Sequence, residues 1–125
     1  DILPHIAVFS PNLLEMQSIL SQATSETPEA VVQAARHFED LALSHIGRCH
    51  TAIIVRAGPL GSFTLSASWT GWVPAFWGAD RQDQVADVTG GGNAWLGGFC
   101  AGLLLTNGNM RSGGSSSPST LLLQR

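Results

Sequence analysis

The chain has 125 residues, of which 44% are apolar and 12% are charged, and its formal net charge is -3. This length fits one globular domain, although the charged share is about half of the usual quarter. The acidic balance excludes a basic surface for nucleic acid or for anionic lipid. The six cationic side chains are all arginine, which excludes a P-loop lysine, a lysine Schiff base and a Ser-Lys dyad.

The cysteines and the apolar runs indicate the cellular environment. Cys49 and Cys100 are too few for a disulfide framework and lie in no metal-ligand spacing, which predicts a reduced, cytoplasmic location. No signal peptide is visible, and the apolar run at residues 94–105 is too short to span a bilayer. The chain begins at Asp1, inside an apolar stretch, and we expect it to be a piece of a longer protein.

The first half of the chain predicts one strand and two helices. The apolar run at residues 5–9 suits a buried strand. Ser10 and Pro11 then predict the N-cap and first helical position of a helix that extends from Asn12 to about Gln22. A second helix is predicted to begin at Thr27 and to end before Gly47. Its apolar stripe has three- and four-residue spacing and comprises Val31, Ala35, Phe38, Ala42 and Ile46.

The second half predicts two strands, a less regular segment, a helix and a tail. Residues 51–56 are rich in β-branched side chains and predict a buried strand, with residues 62–66 as a second strand antiparallel to it. Residues 69–80 are predicted to be loop or short strand. An apolar helix follows, and from Asn107 the Gly/Ser-rich sequence predicts a flexible tail. This order predicts an α/β fold with a parallel sheet, in which ligands bind at the carboxyl ends of the strands.

The most informative motif is the Asp-Val-Thr-Gly-Gly-Gly-Asn sequence at residues 87–93. Gly90, Gly91 and Gly92 lie where a loop becomes a helix, so several backbone N–H groups there lack intrahelical partners. Because glycine also permits close approach of the backbone, the junction predicts a pocket for an anion such as phosphate. The alternative is that these glycines serve only a tight turn or close packing.

Two weaker motifs follow the first two predicted strands. Asn12 and Glu15 lie one helical turn apart, and their oxygen atoms can orient water around Mg²⁺; the alternative is ordinary polarity at a helix start. Gly58 and Gly61 can let the backbone approach a nucleotide, or they can form a plain hairpin turn. Both motifs and the glycine junction are expected to converge at the carboxyl ends of the strands.

The histidines and tryptophans carry no comparable signal. The four histidines share no ligand spacing, which favours structural or surface roles over metal binding. Trp69, Trp72 and Trp77 are predicted to pack at the edge of the core, because no basic surface accompanies them as in a stacking platform for nucleic acid.

In this order, the motifs resemble those of the ribokinase-like (PfkB) carbohydrate kinase family. Residues 87–93 are similar to the family's Asp-Thr-x-Gly-Ala-Gly-Asp signature, and a fungal branch of the family carries Gly-Gly-Gly-Asn itself. Asn12 to Glu15 is similar to the family's Asn-x-x-Glu motif, and residues 56–61 are similar to its Thr-x-Gly-x-x-Gly nucleotide motif. The resemblance covers residues 1–105, the carboxyl-side part of such a kinase.

The resemblance implies a fold, a reaction and its cofactors. The fold is a partial domain with a three-layer, Rossmann-like, mostly parallel sheet and flanking helices, assigned to residues 1–106, with the flexible tail at residues 107–125. The reaction is transfer of phosphate from ATP, with Mg²⁺, to a hydroxyl group of a sugar or nucleoside. A homo-oligomer is possible for the full-length parent.

The resemblance also implies a role for each motif residue. The anion hole is formed by Gly90, Gly91 and Gly92, and position 93 is that of the family's catalytic base. Mg²⁺ is held through water by Asn12 and Glu15. The nucleotide site is lined by Arg56, Gly58, Gly61 and Thr89.

Three departures from the family pattern leave alternatives open. Asn93 stands where the family has aspartate, and a neutral amide cannot accept a proton near pH 7. Arg56 replaces a threonine, although a cation there can still pair with phosphate. The amino-terminal half of the family's domain is missing, so we expect this piece to be inactive alone. A non-catalytic nucleotide- or phosphate-binding module and a structural remnant without a ligand are the alternatives.

Overall fold

A computed structural model describes residues 2–47 and 49–112, without the side chains of Leu3 and of residues 108–112. The chain divides into two compact units, Asp1–Val85 and Ala86–Arg125. The first unit contains the sheet and two helices, and the second contains one long helix.

The first unit is a four-stranded mixed sheet with the spatial order β1-β2-β3-β4. β1 pairs with β2 in parallel, whereas β2–β3 and β3–β4 are antiparallel. The strands and helices, in chain order, are β1 Val8–Phe9, α1 Leu13–Ile19, α2 Pro28–Ile46, β2 Ala52–Arg56, β3 Ser62–Leu65 and β4 Thr70–Val73. Short 3-10 helices occupy Leu3–His5, Gly58–Leu60 and Ala79–Gln84.

The α/β class and the antiparallel β2–β3 pair are confirmed, but the sheet is mixed and not mostly parallel. A parallel pair needs a long crossover, and in this unit α1 and α2 provide it between β1 and β2. The turns that follow β2 and β3 are short, so each returns the chain antiparallel to its neighbour. The segment at residues 69–80 contributes β4, the short strand that was one of its two predicted states.

The α2 helix begins and ends where its sequence predicts. The Thr27 hydroxyl accepts a hydrogen bond of 3.2 Å from the Ala30 N–H, and Pro28 occupies the first turn. Gly47 ends the helix in the left-handed conformation, with φ of 73°, and its N–H donates to the Leu43 carbonyl. These signals act within a few residues, which is why the sequence is sufficient to locate them.

The predicted bounds of the first strand and first helix were wrong. The strand is limited to Val8–Phe9, because Leu3–His5 forms a 3-10 helix. The helix begins at Leu13 with Asn12 as its N-cap, not with Ser10. It ends at Ile19, short of the predicted end, and Ser21 then takes a left-handed φ of 53° that no helix can continue.

The hydrophobic core lies between α1, α2 and one face of the sheet. Alternate residues of β2 and β3 point to the helices, so that Ile53 and Val55 are fully buried and Phe63 and Leu65 almost so. The helices contribute Leu13, Met16, Leu20, Val31, Ala34, Ala35 and Phe38. Each large apolar side chain buried in this way stabilises the fold by about 1.5–3 kcal/mol.

The second unit contains α3, Gly91–Ser112. Its apolar side chains are exposed or half-buried: Leu104 and Leu105 are exposed by 74% and 72%, and no side chain is buried within residues 91–107. The helix includes residues 107–112, where the tail was predicted to begin; residues 113–125 of that tail lie outside the described residues. Among the residues that the structure describes, no helix has the length and hydropathy needed to cross a bilayer.

Candidate functional site

The first two motifs meet at the carboxyl ends of β1 and β2. Asn12 forms a parallel bridge with Arg56, and the Arg56 N–H donates to the Pro11 carbonyl at 3.0 Å. Gly58 follows Arg56 by two residues, so both motifs lie at the same edge of the sheet, as predicted. In sheets of this kind, that edge is where ligand sites form.

Asn12 and Glu15 cap each other across the start of α1. The Asn12 Oδ1 accepts a hydrogen bond of 2.8 Å from the Glu15 N–H, and the Glu15 Oε2 accepts one of 2.8 Å from the Asn12 N–H. This reciprocal capping box satisfies two N–H groups that the helix itself cannot. Ordinary polarity at a helix start therefore accounts for this pair without any ligand.

Arg56 extends the cluster at this edge. Its Nη2 donates to the Ser10 carbonyl at 3.2 Å and lies 3.8 Å from the Glu15 Oε2. The arginine side chain is 20% exposed, whereas the glutamate is 57% exposed, so water screens the ion pair and limits it to at most about 1 kcal/mol. An anion that approached Arg56 would compete with the Glu15 carboxylate for the same guanidinium.

The donor set at this edge fits a hydrated Mg²⁺ better than a directly ligated one. One oxygen of Glu15 and the side-chain oxygen of Asn12 are already engaged in the capping box. Within the described part of the chain, no three His, Cys, Asp or Glu side chains are grouped so as to hold a metal. A Mg²⁺ ion held through water by Asn12 and Glu15 therefore stays a prediction.

Gly61 has a structural role in the turn after β2. It has a φ of 93°, and an added Cβ would press against the Val73 carbonyl and lie 2.9 Å from the Ala75 nitrogen. The Ala57 N–H donates to the Gly61 carbonyl at 2.8 Å, which closes the turn. The hairpin alternative therefore explains Gly61. Gly58 has a φ of 54° and open space where a side chain would be, so its backbone stays accessible.

The glycine junction is organised by Asp87 and Gly90. The Asp87 Oδ1 accepts a hydrogen bond of 2.8 Å from the Thr89 N–H, and the Gly91 N–H donates to the Val88 carbonyl at 3.1 Å. Gly90 has a φ of 79° and accepts the first helical hydrogen bond, of 2.9 Å, from Ala94. Gly90 is therefore the N-cap of α3, in a conformation that other residues rarely adopt.

Two backbone donors remain available at the start of α3. The N–H groups of Gly92 and Asn93 have no acceptor among the described residues. Gly90 has no side chain with which to cap them, in contrast to Asn12 at α1 and Thr27 at α2. The junction thus presents open donors at the positive end of a 22-residue helix.

Asp87 contributes a negative charge to the same junction. Hydrogen bonds from the Thr89 N–H, the Thr89 hydroxyl and the Val88 N–H lower the pKa of Asp87 from its ordinary value of 3.8. Asp87 is not among the predicted site residues, because an Asx turn needs only Asp or Asn followed two residues later by a backbone N–H, which is a weak sequence signal. Thr89 was predicted to line a nucleotide site, and its N–H is used by this turn.

The structure therefore brings together some of the predicted site residues. Asn12, Glu15 and Arg56 are in contact, with Gly58 close behind them in the chain. Residues 90–93 belong to the second unit, so the convergence of the glycine junction with the other two motifs stays a prediction.

No protein-family model, no curated protein and no solved structure matches this chain. The resemblance to ribokinase-like kinases consequently rests on the motifs themselves.

Proposed function

We propose that this chain is the carboxyl-side part of a ribokinase-like carbohydrate kinase, in which the start of α3 binds the transferring phosphoryl group. The observation that carries the proposal is the open glycine cap. α3 begins with the unpaired N–H groups of Gly92 and Asn93 and with no capping side chain, among the residues described. Helix starts of this kind bind phosphate through their backbone donors and their dipole.

The proposed reaction moves the γ-phosphoryl group of ATP to a hydroxyl oxygen of a sugar or nucleoside. Gly90, Gly91 and Gly92 would surround the phosphoryl group, and stabilisation of its charge is the main source of catalysis in such reactions. Arg56 and Glu15 belong to the first unit, and their part in binding nucleotide phosphate and Mg²⁺ is implied by the family resemblance alone.

Asn93 favours a second candidate function. Its side chain is exposed at the position of the family's base, but an amide cannot take the proton from the acceptor hydroxyl. Loss of a general base lowers a rate by about 10²- to 10⁴-fold. A phosphate-binding module without phosphotransfer is therefore the alternative to the kinase.

Binding is tested first, by calorimetric titration of the chain with Mg-ATP and with inorganic triphosphate. We expect saturable binding that Gly91→Glu abolishes, because the new carboxylate occupies the anion position. An acidic residue in the first turn stabilises a helix, so lost binding would not reflect an unfolded α3. Gly97→Glu is the matched control, because an added Cβ at either glycine meets open space. Equal binding by the two variants contradicts the proposed phosphate site.

Transfer is tested separately with Asn93→Asp and a panel of sugars and nucleosides. We expect the carboxylate to raise ATP-dependent phosphorylation by about 10²- to 10⁴-fold where the parent's acceptor-binding half is present. If triphosphate binds but neither residue at position 93 supports transfer, the binding module is the correct reading and the kinase is not.

A further inference from the structure

The outer edge of β4 is defined by the hydrogen-bond alternation of the sheet. The Ala57 N–H donates to the Gly61 carbonyl, and the Ser66 N–H donates to the Trp69 carbonyl. Together with the register, these two bonds show which residues of β3 and β4 bond to which neighbouring strand. In β4, Gly71 and Val73 then bond to β3, whereas the backbone groups of Thr70 and Trp72 point away from it. Among the described residues, β4 has no neighbour on that side.

Within β4, three usual protections against edge pairing are absent: charges, prolines and bulges, although Pro74 follows the strand directly. The sequence contains no charged residue and no histidine from Ala57 to Ala79, which includes all of β3 and β4. β4 contains no proline, and its register with β3 is continuous, without a bulge. Charges, prolines and bulges are the features by which proteins prevent edge strands from pairing. The large side chains of the edge are also open to solvent: Trp69, Trp72 and Val73 are exposed by 40%, 36% and 48%.

We propose that β4 pairs antiparallel with β4 of a second copy of this chain, with Gly71 opposite Gly71. Two-fold pairing brings identical strands together, so any charge on the strand would face or adjoin its like. The uncharged hairpin is suited to this partner, because it removes that repulsion. The backbone groups of Thr70 and Trp72 in each copy then form four hydrogen bonds with those of Trp72 and Thr70 in the other.

This register gives each exposed large side chain of the edge a partner. Trp69 of one copy lies opposite Val73 of the other on one face of the sheet, and Thr70 lies opposite Trp72 on the other face. Aromatic residues opposite β-branched residues are among the stabilising cross-strand pairs. At the centre, a Cβ on Gly71 would lie 2.8 Å from the ring of Trp69 in its own chain. The Trp69 ring of the same chain therefore accounts for glycine at this position.

The test measures self-association of the full chain by sedimentation velocity over a range of concentrations. Thr70→Pro removes an outward N–H and leaves the bonds to β3 intact, so we expect the dimer dissociation constant to rise at least about tenfold. Thr70→Val retains the N–H and the β-branched shape, and we expect it to dimerise like the original chain. The proposal is overturned if the original chain is monomeric. It is also overturned if the two variants associate equally, because the association would then involve another surface, such as α3.

Cross-linking tests the register and does not depend on the proline variant folding. In a background with Cys49→Ser and Cys100→Ser, Gly71→Cys requires the exposed Trp69 ring to move aside. It then places two thiols opposite each other at the closely spaced pair, within reach of a disulfide. Thr64→Cys is the matched control, because Thr64 lies on β3, where it pairs with Gly71 but is one strand further from the open edge. Oxidation should yield a covalent dimer for Gly71→Cys alone. Failure to cross-link, or equal cross-linking at Thr64, contradicts the symmetric register.

Discussion

The helices α2 and α3 are both rich in apolar residues, but their environments differ. α2 carries its apolar residues as a stripe, and Val31, Ala34 and Ala35 are fully buried against the sheet. α3 is apolar on most sides, and within residues 91–107 every side chain is exposed or half-buried. When apolar residues form a stripe on one side of a helix, they specify which face of the helix packs. When they lie on all sides, they indicate only that the helix has apolar surface to bury. Hydrophobicity alone therefore does not predict burial in this chain.

The largest difference in the free energy of unfolding is expected when a leucine is truncated to alanine in the core and in α3. Leu65→Ala removes a side chain that is 5% exposed in the core, and we expect it to lower the free energy of unfolding by about 2–5 kcal/mol. Leu104 is 74% exposed, so Leu104→Ala should change it by less than about 0.5 kcal/mol. Urea unfolding followed by circular dichroism measures both. A comparable loss at Leu104 would show that α3 is buried in solution.

Replacing glycine by alanine should lower stability in the first unit and raise it in α3. Gly61→Ala places a Cβ against the backbone of the strand end at a φ of 93°, and we expect a loss of about 2–4 kcal/mol from strain and overpacking. Gly97 lies inside α3 with open space around an added Cβ, so Gly97→Ala should stabilise that helix by up to about 1 kcal/mol. Thermal unfolding of the two variants provides the comparison. Destabilisation by Gly97→Ala would indicate a close contact at that helix face.

The smallest effect on stability is expected from protonation of Asp87 in the turn that precedes α3. The pKa of Asp87 is lowered in the folded chain, so its hydrogen bonds favour the folded junction above the ordinary value of 3.8 and are lost as the pH falls through the lowered value. We expect NMR to show titration of the Asp87 carboxyl below pH 3.8 together with loss of protection at the Thr89 amide. Thr89→Val removes the hydroxyl and keeps the N–H, so it should raise the pKa of Asp87 only in part. An unchanged pKa in that variant would exclude the hydroxyl as a cause.

The sequence was sufficient where the determining interactions are local. Thr27, Pro28 and Gly47 set the ends of α2 through contacts within a few residues. The continuous run of β-branched residues in β2 predicted a buried strand, which the structure confirms. The mixed sheet could have been anticipated from the short turns, which favour antiparallel neighbours. The strand-helix-strand order at the start of the chain is typical of parallel pairing, and in this sheet it applies to β1 and β2 alone.

The candidate site was less predictable, because its residues have two compatible roles. Asn12 and Glu15 cap a helix, and Gly61 fits a tight turn; these structural roles produce the same residue types at the same spacing as the proposed ligand site. The open donors at the start of α3 were predicted from Gly90 to Gly92, because glycine caps leave N–H groups free. The turn formed by Asp87 was not predicted, because a single Asp before a glycine run is equally compatible with an ordinary exposed loop residue.

The placement of β1 has a consequence for how the chain folds during synthesis. The Thr51 hydroxyl donates to the Ile6 carbonyl at 2.7 Å across a separation of 45 residues, whereas β2, β3 and β4 pair with sequence neighbours. At about 5–20 residues per second, a ribosome needs roughly two to nine seconds to supply the partner of β1. β1 therefore stays unpaired for those seconds, but its partner β2 is synthesised before β3 and β4, so the long-range β1–β2 pair can form before either antiparallel pair is complete.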